Sequence, residues 1–327
     1  MNTADDVLSR DFLHKHAETP LGEQYIAAGA LCDLSTNSER VLEAARQSFL
    51  PIRDRRWERQ PSFSLRLWVD ERDTSQPPWP KPYLRGLDHL VYIGLDSKSS
   101  LLADLETRRV IGRIAPGLAA DTGHWRNIIF PMMMSVVAGS VGLVELHASC
   151  VAKGPVGMIL LGPGRSGKST LAKAMSNAGF RVLSDDRVFC SVQQEGIRAY
   201  GLARPLKLRE DAGIWFEEFS DRTPTDVQNG ERVFYCDRSF PSLQPCEPTV
   251  IVSLERAGDG CSISHASRSE IRRQIESDLL AETEEIVNTQ ATVIDSLLNL
   301  PLWHVECGAR PEVIAGHLVK LLPEQAA

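Results

Sequence analysis

The chain has 327 residues, with 36 Lys and Arg against 43 Asp and Glu, for a formal net charge of −7. Its 43% apolar and 24% charged residues are typical of a folded protein, and the length predicts two domains. The acidic balance argues against nucleic acid as the main partner, because phosphate backbones are bound by clustered Lys and Arg. The short basic run Arg53-Asp54-Arg55-Arg56 contains an acid and is typical of a solvated face.

The cysteines are far apart in the sequence and form no C-x-x-C pair. They are Cys32, Cys150, Cys190, Cys236, Cys246, Cys261 and Cys307. This pattern predicts reduced thiols in a cytoplasmic protein, with neither a disulfide framework nor a zinc site. The N-terminus lacks the basic start and apolar run of a secretion signal, which also predicts a cytoplasmic location.

The N-terminal 140 residues mix helix and strand patterns. Residues 38–49 predict a helix with Ser38 as its cap, and residues 65–69 and 87–95 predict strands. Four prolines within residues 76–82 predict a stiff surface loop between them. Residues 128–144 carry no charge, but Pro131, Gly139 and Gly142 interrupt them, so we expect a buried helix followed by a strand and no membrane partner. The N-terminal region is therefore predicted to be a smaller α+β domain, residues 1–140.

From residue 143 onward, short apolar runs alternate with helical patterns, which predicts an α/β domain over residues 141–327. The predicted strands are residues 143–152, 157–161, 181–184, 249–254 and 302–306, and the predicted helices are residues 169–178, 269–298 and 311–322. Ser267 and Glu270 have the spacing of a capping box at the start of the long helix, which is predicted either continuous or broken. Pro311 suits the first turn of the last helix.

The strongest motif is a glycine-rich loop that matches G-x-x-x-x-G-K-[ST] and lies between a predicted strand and a predicted helix. Its glycines let backbone N–H groups converge on phosphate oxygens, and the helix N-terminus adds partial positive charge. Lys168 can reach the β- and γ-phosphates of a nucleotide, and the Ser169 hydroxyl can ligate Mg²⁺. The predicted nucleotide-binding residues are Gly162, Pro163, Gly164, Arg165, Ser166, Gly167, Lys168, Ser169 and Thr170.

Two acids, Asp185 and Asp186, follow the predicted strand 181–184 at its carboxyl end, where open α/β sheets bind ligands. One carboxylate can hold Mg²⁺ while the other accepts a proton from an attacking hydroxyl. His147 precedes the phosphate-loop strand. If Gly154 and Pro155 form a two-residue hairpin, paired residue numbers sum to 309 and His147 lies opposite Gly162. This register would bring His147 beside the phosphates, on the face of Glu145 and Ser149.

A strand with His147, then this loop, then a strand ending in Asp185-Asp186, resembles the catalytic domain of HPr kinase/phosphorylase. The closer resemblance is to HPr-kinase-related proteins of bacterial peptide-modification operons, including lasso-peptide kinases. The resemblance implies a P-loop kinase that uses ATP and Mg²⁺ to phosphorylate a serine hydroxyl on a protein or peptide. It implies Asp185 as the catalytic base, Asp186 and Ser169 on the metal side, and His147 and Lys168 as active-site groups.

The sequence departs from the bifunctional enzymes in two places. Thr170 follows Ser169 where those enzymes have Glu, and Ala203-Arg204-Pro205-Leu206-Lys207-Leu208 stands in place of their Arg-Gly-x-Gly loop. Both departures argue against HPr as the substrate and against phosphorylase activity. Arg204 and Lys207 are read either as phosphate or peptide contacts or as surface cations. The N-terminal domain is expected to help receive the substrate.

Three functions remain open at this point: a peptide or protein serine kinase, a small-molecule kinase of the same fold, and a nonenzymatic nucleotide sensor. The serine kinase is preferred because loop, acids and histidine occur together. The acceptor, the base preference of the nucleotide and the formation of a homo-oligomer are not determined by the sequence.

Overall fold

The computed structural model describes residues 17–52, 60–72, 74–202, 204–226, 231–236, 244–277, 279 and 283–323. The predicted basic run at 53–56 lies outside these residues. The chain divides into two compact units, residues 1–141 with 281–286, and residues 142–280 with 287–327. Over the described ranges, the architecture is mixed α/β with four sheets. Within the described ranges, no helix is both long enough and apolar enough to cross a bilayer.

The first unit is built on an eight-stranded sheet in the order β3-β1-β2-β4-β8-β7-β6-β5. Its strands are β1 (Leu21–Ala27), β2 (Ala30–Thr36), β3 (Leu50–Pro51), β4 (Phe63–Val69), β5 (Tyr83–Leu87), β6 (Leu90–Gly94), β7 (Ser100–Asp104) and β8 (Arg109–Ile114). Its main helices are α1 (Glu39–Ser48) and α2 (Phe130–Val137), with short helical segments at Pro116–Ala120, Thr122–His124, Trp125–Ile129 and Gly139–Val141. Strands β2, β4 and β8 are parallel, and the other pairs are antiparallel.

One face of this sheet is buried, as the alternation of β4 shows. Phe63, Leu65 and Leu67 are buried while Ser64 and Arg66 between them are half-exposed. Helix α1 buries one stripe of apolar residues, and Ser38 precedes it as predicted, although its side chain makes no capping hydrogen bond. The helix and the following strand predicted within residues 128–144 are both present, as α2 and as a strand that begins at Val144.

The predicted strand at residues 87–95 is wrong in its first part. Leu87 is the last residue of β5, Asp88 and His89 form a turn, and Leu90–Gly94 is β6, which pairs with β5. The pattern misled because apolar residues continue on both sides of a two-residue turn that contains no glycine.

The second unit holds the other three sheets. Its strands are β9 (Val144–His147), β10 (Ser149–Lys153), β11 (Val156–Leu161), β12 (Arg181–Ser184), β13 (Arg187–Gln193), β14 (Gly196–Tyr200), β15 (Leu206–Arg209), β16 (Thr225–Asp226), β17 (Arg232–Cys236), β18 (Glu247–Arg256), β19 (Gly260–His265) and β20 (Leu302–Gly308). Its helices are α3 (Lys168–Asn177), α4 (Arg268–Glu276), α5 (Glu284–Leu297, in this unit from Val287) and α6 (Pro311–Val319), with short segments at Glu210–Gly213 and Glu217–Phe219. The sheet orders are β12-β10-β11-β18-β20-β19, β14-β13-β9 and β15-β17-β16.

The six-stranded sheet of this unit is covered on both faces. Met158 and Leu160 of β11 pack with residues of α3 and α6, whereas Ile159 and Leu161 pack with residues of α4 and α5. Burial on both sides explains why β11 is a continuous apolar run instead of an alternating one.

The predicted strand 143–152 is wrong as a single element. The chain breaks at Ala148 into β9 and β10, which belong to different sheets, and the Ala148 amide donates to the Asp186 carbonyl oxygen at 3.1 Å. The long helix predicted over 269–298 is observed as two helices, α4 and α5. At the start of α4, the Ser267 hydroxyl accepts from the Glu270 amide at 3.2 Å. This bond is one of the two that the predicted capping box requires.

Candidate active site

The candidate site lies at one edge of the six-stranded sheet, where two parallel strands end. Strand β10 is antiparallel to both β11 and β12, so β11 and β12 run in the same direction with β10 between them. Two strand spacings separate β11 from β12, roughly 9–10 Å. The phosphate loop after β11 and the two aspartates after β12 therefore emerge side by side at this edge.

The backbone of the phosphate loop requires glycine at its first position. Gly162 has φ of +140°, and a Cβ there would lie 2.5 Å from the Leu254 carbonyl oxygen and 2.7 Å from the Ser166 hydroxyl. Gly167, with φ of +104°, precedes the first residue of α3. The amide of Ser166 donates to the Pro163 carbonyl oxygen at 3.2 Å and closes the turn. The sequence motif therefore forms the expected strand, loop and helix.

Lys168 is buried and lies across this loop. Its ammonium group donates to the carbonyl oxygens of Gly162 at 2.6 Å and Pro163 at 3.2 Å, which holds the charge over the loop. Ser166 is also buried, and within the described residues its hydroxyl has no hydrogen-bond partner. Buried hydroxyls are normally hydrogen-bonded, so this one is a candidate to contact a ligand in the loop.

The remaining loop residues are more open to solvent. Pro163, Gly164 and Arg165 are exposed, whereas Ser169 and Thr170 lie half-buried in the first turn of α3. Helix α3 contributes its free N–H groups and partial positive charge at the same place. The loop thus presents a cation, backbone donors and hydroxyl groups on one side, which suits an anionic phosphate chain.

Asp185 is 9% exposed, and its carboxylate is fixed in place. Oδ2 accepts from the Lys207 amide at 2.9 Å, and the backbone oxygen of Asp185 accepts from the Ser149 hydroxyl at 3.0 Å. Burial raises the pKa of Asp185 to about 6, with the negative charge of Asp186 adding to the rise and the Lys207 amide opposing it. A buried carboxylate with this pKa can exchange a proton near neutral pH.

Asp186 has the opposite environment. Its Oδ2 accepts from Arg204 at 3.0 Å and lies 3.8 Å from Nε of Arg187, which in turn pairs with Glu145. Burial opposes ionisation of Asp186, but the positive charges of Arg204 and Arg187, with a further contribution from His147, outweigh it and keep the pKa of this carboxyl below its usual value. Asp186 is therefore held in its charged form between Arg204 and Arg187.

The structure corrects the predicted position of His147. The hairpin register is confirmed for β10, where Lys153 pairs with Val156 and Ser149 with Leu160. His147, however, lies on β9, where its Cα partner is Arg187 of β13 and not Gly162. Because the chain changes sheets at Ala148, His147 shares a strand with Glu145 but not with Ser149. It is exposed, and it lies close enough to Asp186 to affect the pKa of that residue.

Sequence reasoning missed Ser184 and Arg187, and it missed the roles of Ser149 and Lys207. Ser149 and Lys207 position Asp185, and Ser184 holds the turn through its hydroxyl, which accepts from the Arg187 amide at 3.1 Å. Arg187 could have been found as the cation directly after the acid pair. Lys207 acts through its backbone amide, 22 residues from Asp185, and no local pattern marks such a contact. Arg204, which the sequence left between two roles, belongs to the site.

Oxygen donors of the kind that Mg²⁺ prefers follow β11 and β12: the Ser169 hydroxyl at the start of α3, and the carboxylates of Asp185 and Asp186 after β12. Mg²⁺ takes few protein ligands and completes its shell with phosphate oxygens and water, so this set is chemically suitable. Arg204 already occupies Oδ2 of Asp186, so Mg²⁺ would have to use the other oxygen of that carboxylate or displace the arginine.

The sequence matches no protein-family model and no curated protein. A structural match is found with the Hpr(Ser) kinase/phosphatase from Coxiella burnetii, at 11% sequence identity and a TM-score of 0.27, covering 54% of this chain and 97% of the other. At this TM-score the likeness does not by itself assign an activity. The resemblance to kinases of peptide-modification operons stays a prediction.

Proposed function

We propose that this protein is a kinase that uses ATP and Mg²⁺ to phosphorylate a serine hydroxyl on a protein or peptide. One observation carries the proposal. A phosphate loop and a buried carboxylate with a pKa of about 6 follow two parallel strands, β11 and β12, that have a single strand between them. Phosphoryl transfer depends mainly on positioning and on charge stabilisation, and this site has groups for both.

Each group has a defined task in this proposal. The loop amides and Lys168 bind the phosphate chain, and the free hydroxyl of Ser166 adds a donor or acceptor. Asp185 accepts the proton of the attacking hydroxyl as that oxygen bonds to the γ-phosphorus. The bond from this phosphorus to the β,γ-bridging oxygen breaks in the same transfer, and ADP leaves. Arg204 and Arg187 fix Asp186 beside it. Bound Mg²⁺ would supply charge neutralisation at the phosphates, with Ser169 and Asp186 as its protein ligands.

The test is a phosphorylation assay with intact-mass detection. Purified protein, ATP and Mg²⁺ are incubated with a synthetic peptide library that carries one central serine, and with the same library carrying alanine. We expect a gain of one phosphate on serine peptides alone. Transfer only to sugars, nucleosides or free serine would identify a small-molecule kinase, and tight nucleotide binding without any transfer would identify a nucleotide sensor.

A further inference from the structure

The eight-stranded sheet of the first unit ends at β5, and the outer edge of that strand is open. Within the described part of the chain no strand pairs with it on that side, and all five of its residues are exposed. An open edge presents unpaired backbone donors and acceptors, which is how extended peptides join sheets.

The hairpin geometry identifies which backbone groups point outward. Strands β5 and β6 are joined by a two-residue turn, with Asp88 at φ of +56°, and Leu87 pairs with Leu90 next to the turn. A two-residue hairpin closes on a hydrogen-bonded pair, and hydrogen-bonded and non-hydrogen-bonded pairs alternate from there. The N–H and C=O groups of Leu84 and Gly86 therefore face away from β6, toward the open edge.

The side chains along this edge are unusually apolar. Tyr83 is 58% exposed and Leu87 is 77% exposed, and they flank Arg85 on one face of the strand. Tyr92, which pairs with Arg85 from β6, is 42% exposed. On the other face, Leu84 is 39% exposed. A strand placed alongside would cover apolar surface on both faces.

The positive charge along this edge favours an acidic peptide over a second copy of the chain. Lys81 and Arg85 are the charged residues of the segment 80–87, both are exposed, and neither has an ion-pair partner within the described residues. A second copy paired antiparallel and centred on Arg85 would bring two arginines into direct opposition, at a non-hydrogen-bonded position where side chains are closest. An acidic residue at the same position would be attracted.

We propose that β5 binds an extended peptide as a ninth strand, with an acidic residue opposite Arg85 and apolar residues opposite Tyr83 and Leu87. The peptide would exchange backbone hydrogen bonds with Leu84 and Gly86. The site lies wholly in the first unit, so it does not depend on the kinase proposal.

The experiment measures peptide binding to the full-length protein by fluorescence anisotropy. The probes are labelled heptapeptides of sequence Thr-Val-Thr-X-Thr-Val-Thr, in which X is Glu, Gln or Lys. We expect the Glu peptide to bind at least about fivefold more tightly than the Lys peptide, and Arg85→Glu to reverse that order. Lys98→Glu, a charge reversal in the exposed turn between β6 and β7, should leave the order unchanged.

A backbone variant tests the hydrogen bonds separately. Gly86→Pro removes an N–H group that faces the open edge, and it should weaken binding of the Glu peptide about tenfold. Circular dichroism of each variant checks folding, and Arg85→Glu replaces an exposed side chain, so it keeps the test valid if the proline variant unfolds. Equal binding of the three peptides, or unchanged binding by a folded Gly86→Pro variant, would overturn the proposal.

A dimer that is seen in sedimentation and that Gly86→Pro dissociates would instead identify a second copy of the chain as the occupant. Nucleotide binding measured on the same samples separates these outcomes from a failure of the kinase proposal.

Discussion

At the scale of single residues, Asp185 and Asp186 differ because of what surrounds them, although they are adjacent in the sequence. Asp185 is buried next to a backbone amide, and the rise in its pKa comes mainly from the loss of water. Asp186 lies between two arginines that stabilise its charge. Groups whose surroundings separate their pKa values in this way are candidates for different tasks in one reaction.

Asp185→Asn tests the role of the base. We expect the phosphorylation rate to fall by about 10²–10⁴-fold with little change in nucleotide affinity. In the unmodified protein, kcat/KM should rise with pH through about 6 and then level off, because Asp185 must be ionised to accept a proton. Phosphorylation assays between pH 5 and 8.5 measure the rate of the variant and the pH dependence of kcat/KM in the unmodified protein. A variant with the full rate would exclude Asp185 as the base.

The same substitution has a separate effect on stability. The pKa of Asp185 is raised from 3.8 to about 6, so the folded state binds a proton more tightly than the unfolded state, and stability falls as pH rises through this interval. We expect Asp185→Asn to raise the free energy of unfolding by up to about 3 kcal/mol at pH 8 and by much less at pH 4. Denaturant unfolding at the two pH values measures the difference, and an equal effect at both would contradict it.

At the scale of elements, the site depends on how strands enter and leave the phosphate loop. Strand β11 ends at Leu161, and the chain passes Leu254 so closely that Gly162 has no room for a side chain. Ala148 separates β9 from β10, so that two sheets meet next to the aspartates. These junctions place donors and acids at one edge.

Gly162→Ala should therefore distort the loop. The added Cβ would collide with a carbonyl oxygen and require an unfavourable φ, at a cost of about 1–3 kcal/mol in stability together with weaker nucleotide binding. At Gly164 a Cβ would meet no heavy atom within 4 Å, so Gly164→Ala is the matched control for stability. Thermal unfolding measures the stability of both variants. Equal stability would contradict the prediction and show that the loop accepts a side chain at position 162.

At the scale of the whole molecule, the residues of the nucleotide site all belong to the second unit. Hydrogen exchange with and without Mg²⁺ and a non-hydrolysable ATP analogue should therefore show new protection in residues 156–177. The Lys168→Ala variant should lose this protection, because a charge-assisted contact to phosphate is removed. The exposed Lys320→Ala variant serves as the control. Protection confined to residues 83–114 would place the nucleotide elsewhere.

The sequence alone determined the phosphate loop, its flanking strand and helix, the strand that leads to the acids, and the hairpin register of β10 and β11. These features depend on local patterns: glycines at fixed spacing, a continuous apolar run, and a turn that sets the pairing. Only the tertiary structure decided that His147 pairs with Arg187, that Arg204 binds Asp186 and that the Lys207 amide fixes Asp185. Such contacts join residues far apart in the chain, and they form because the chain changes sheets at Ala148 and returns through β15, which no short pattern encodes.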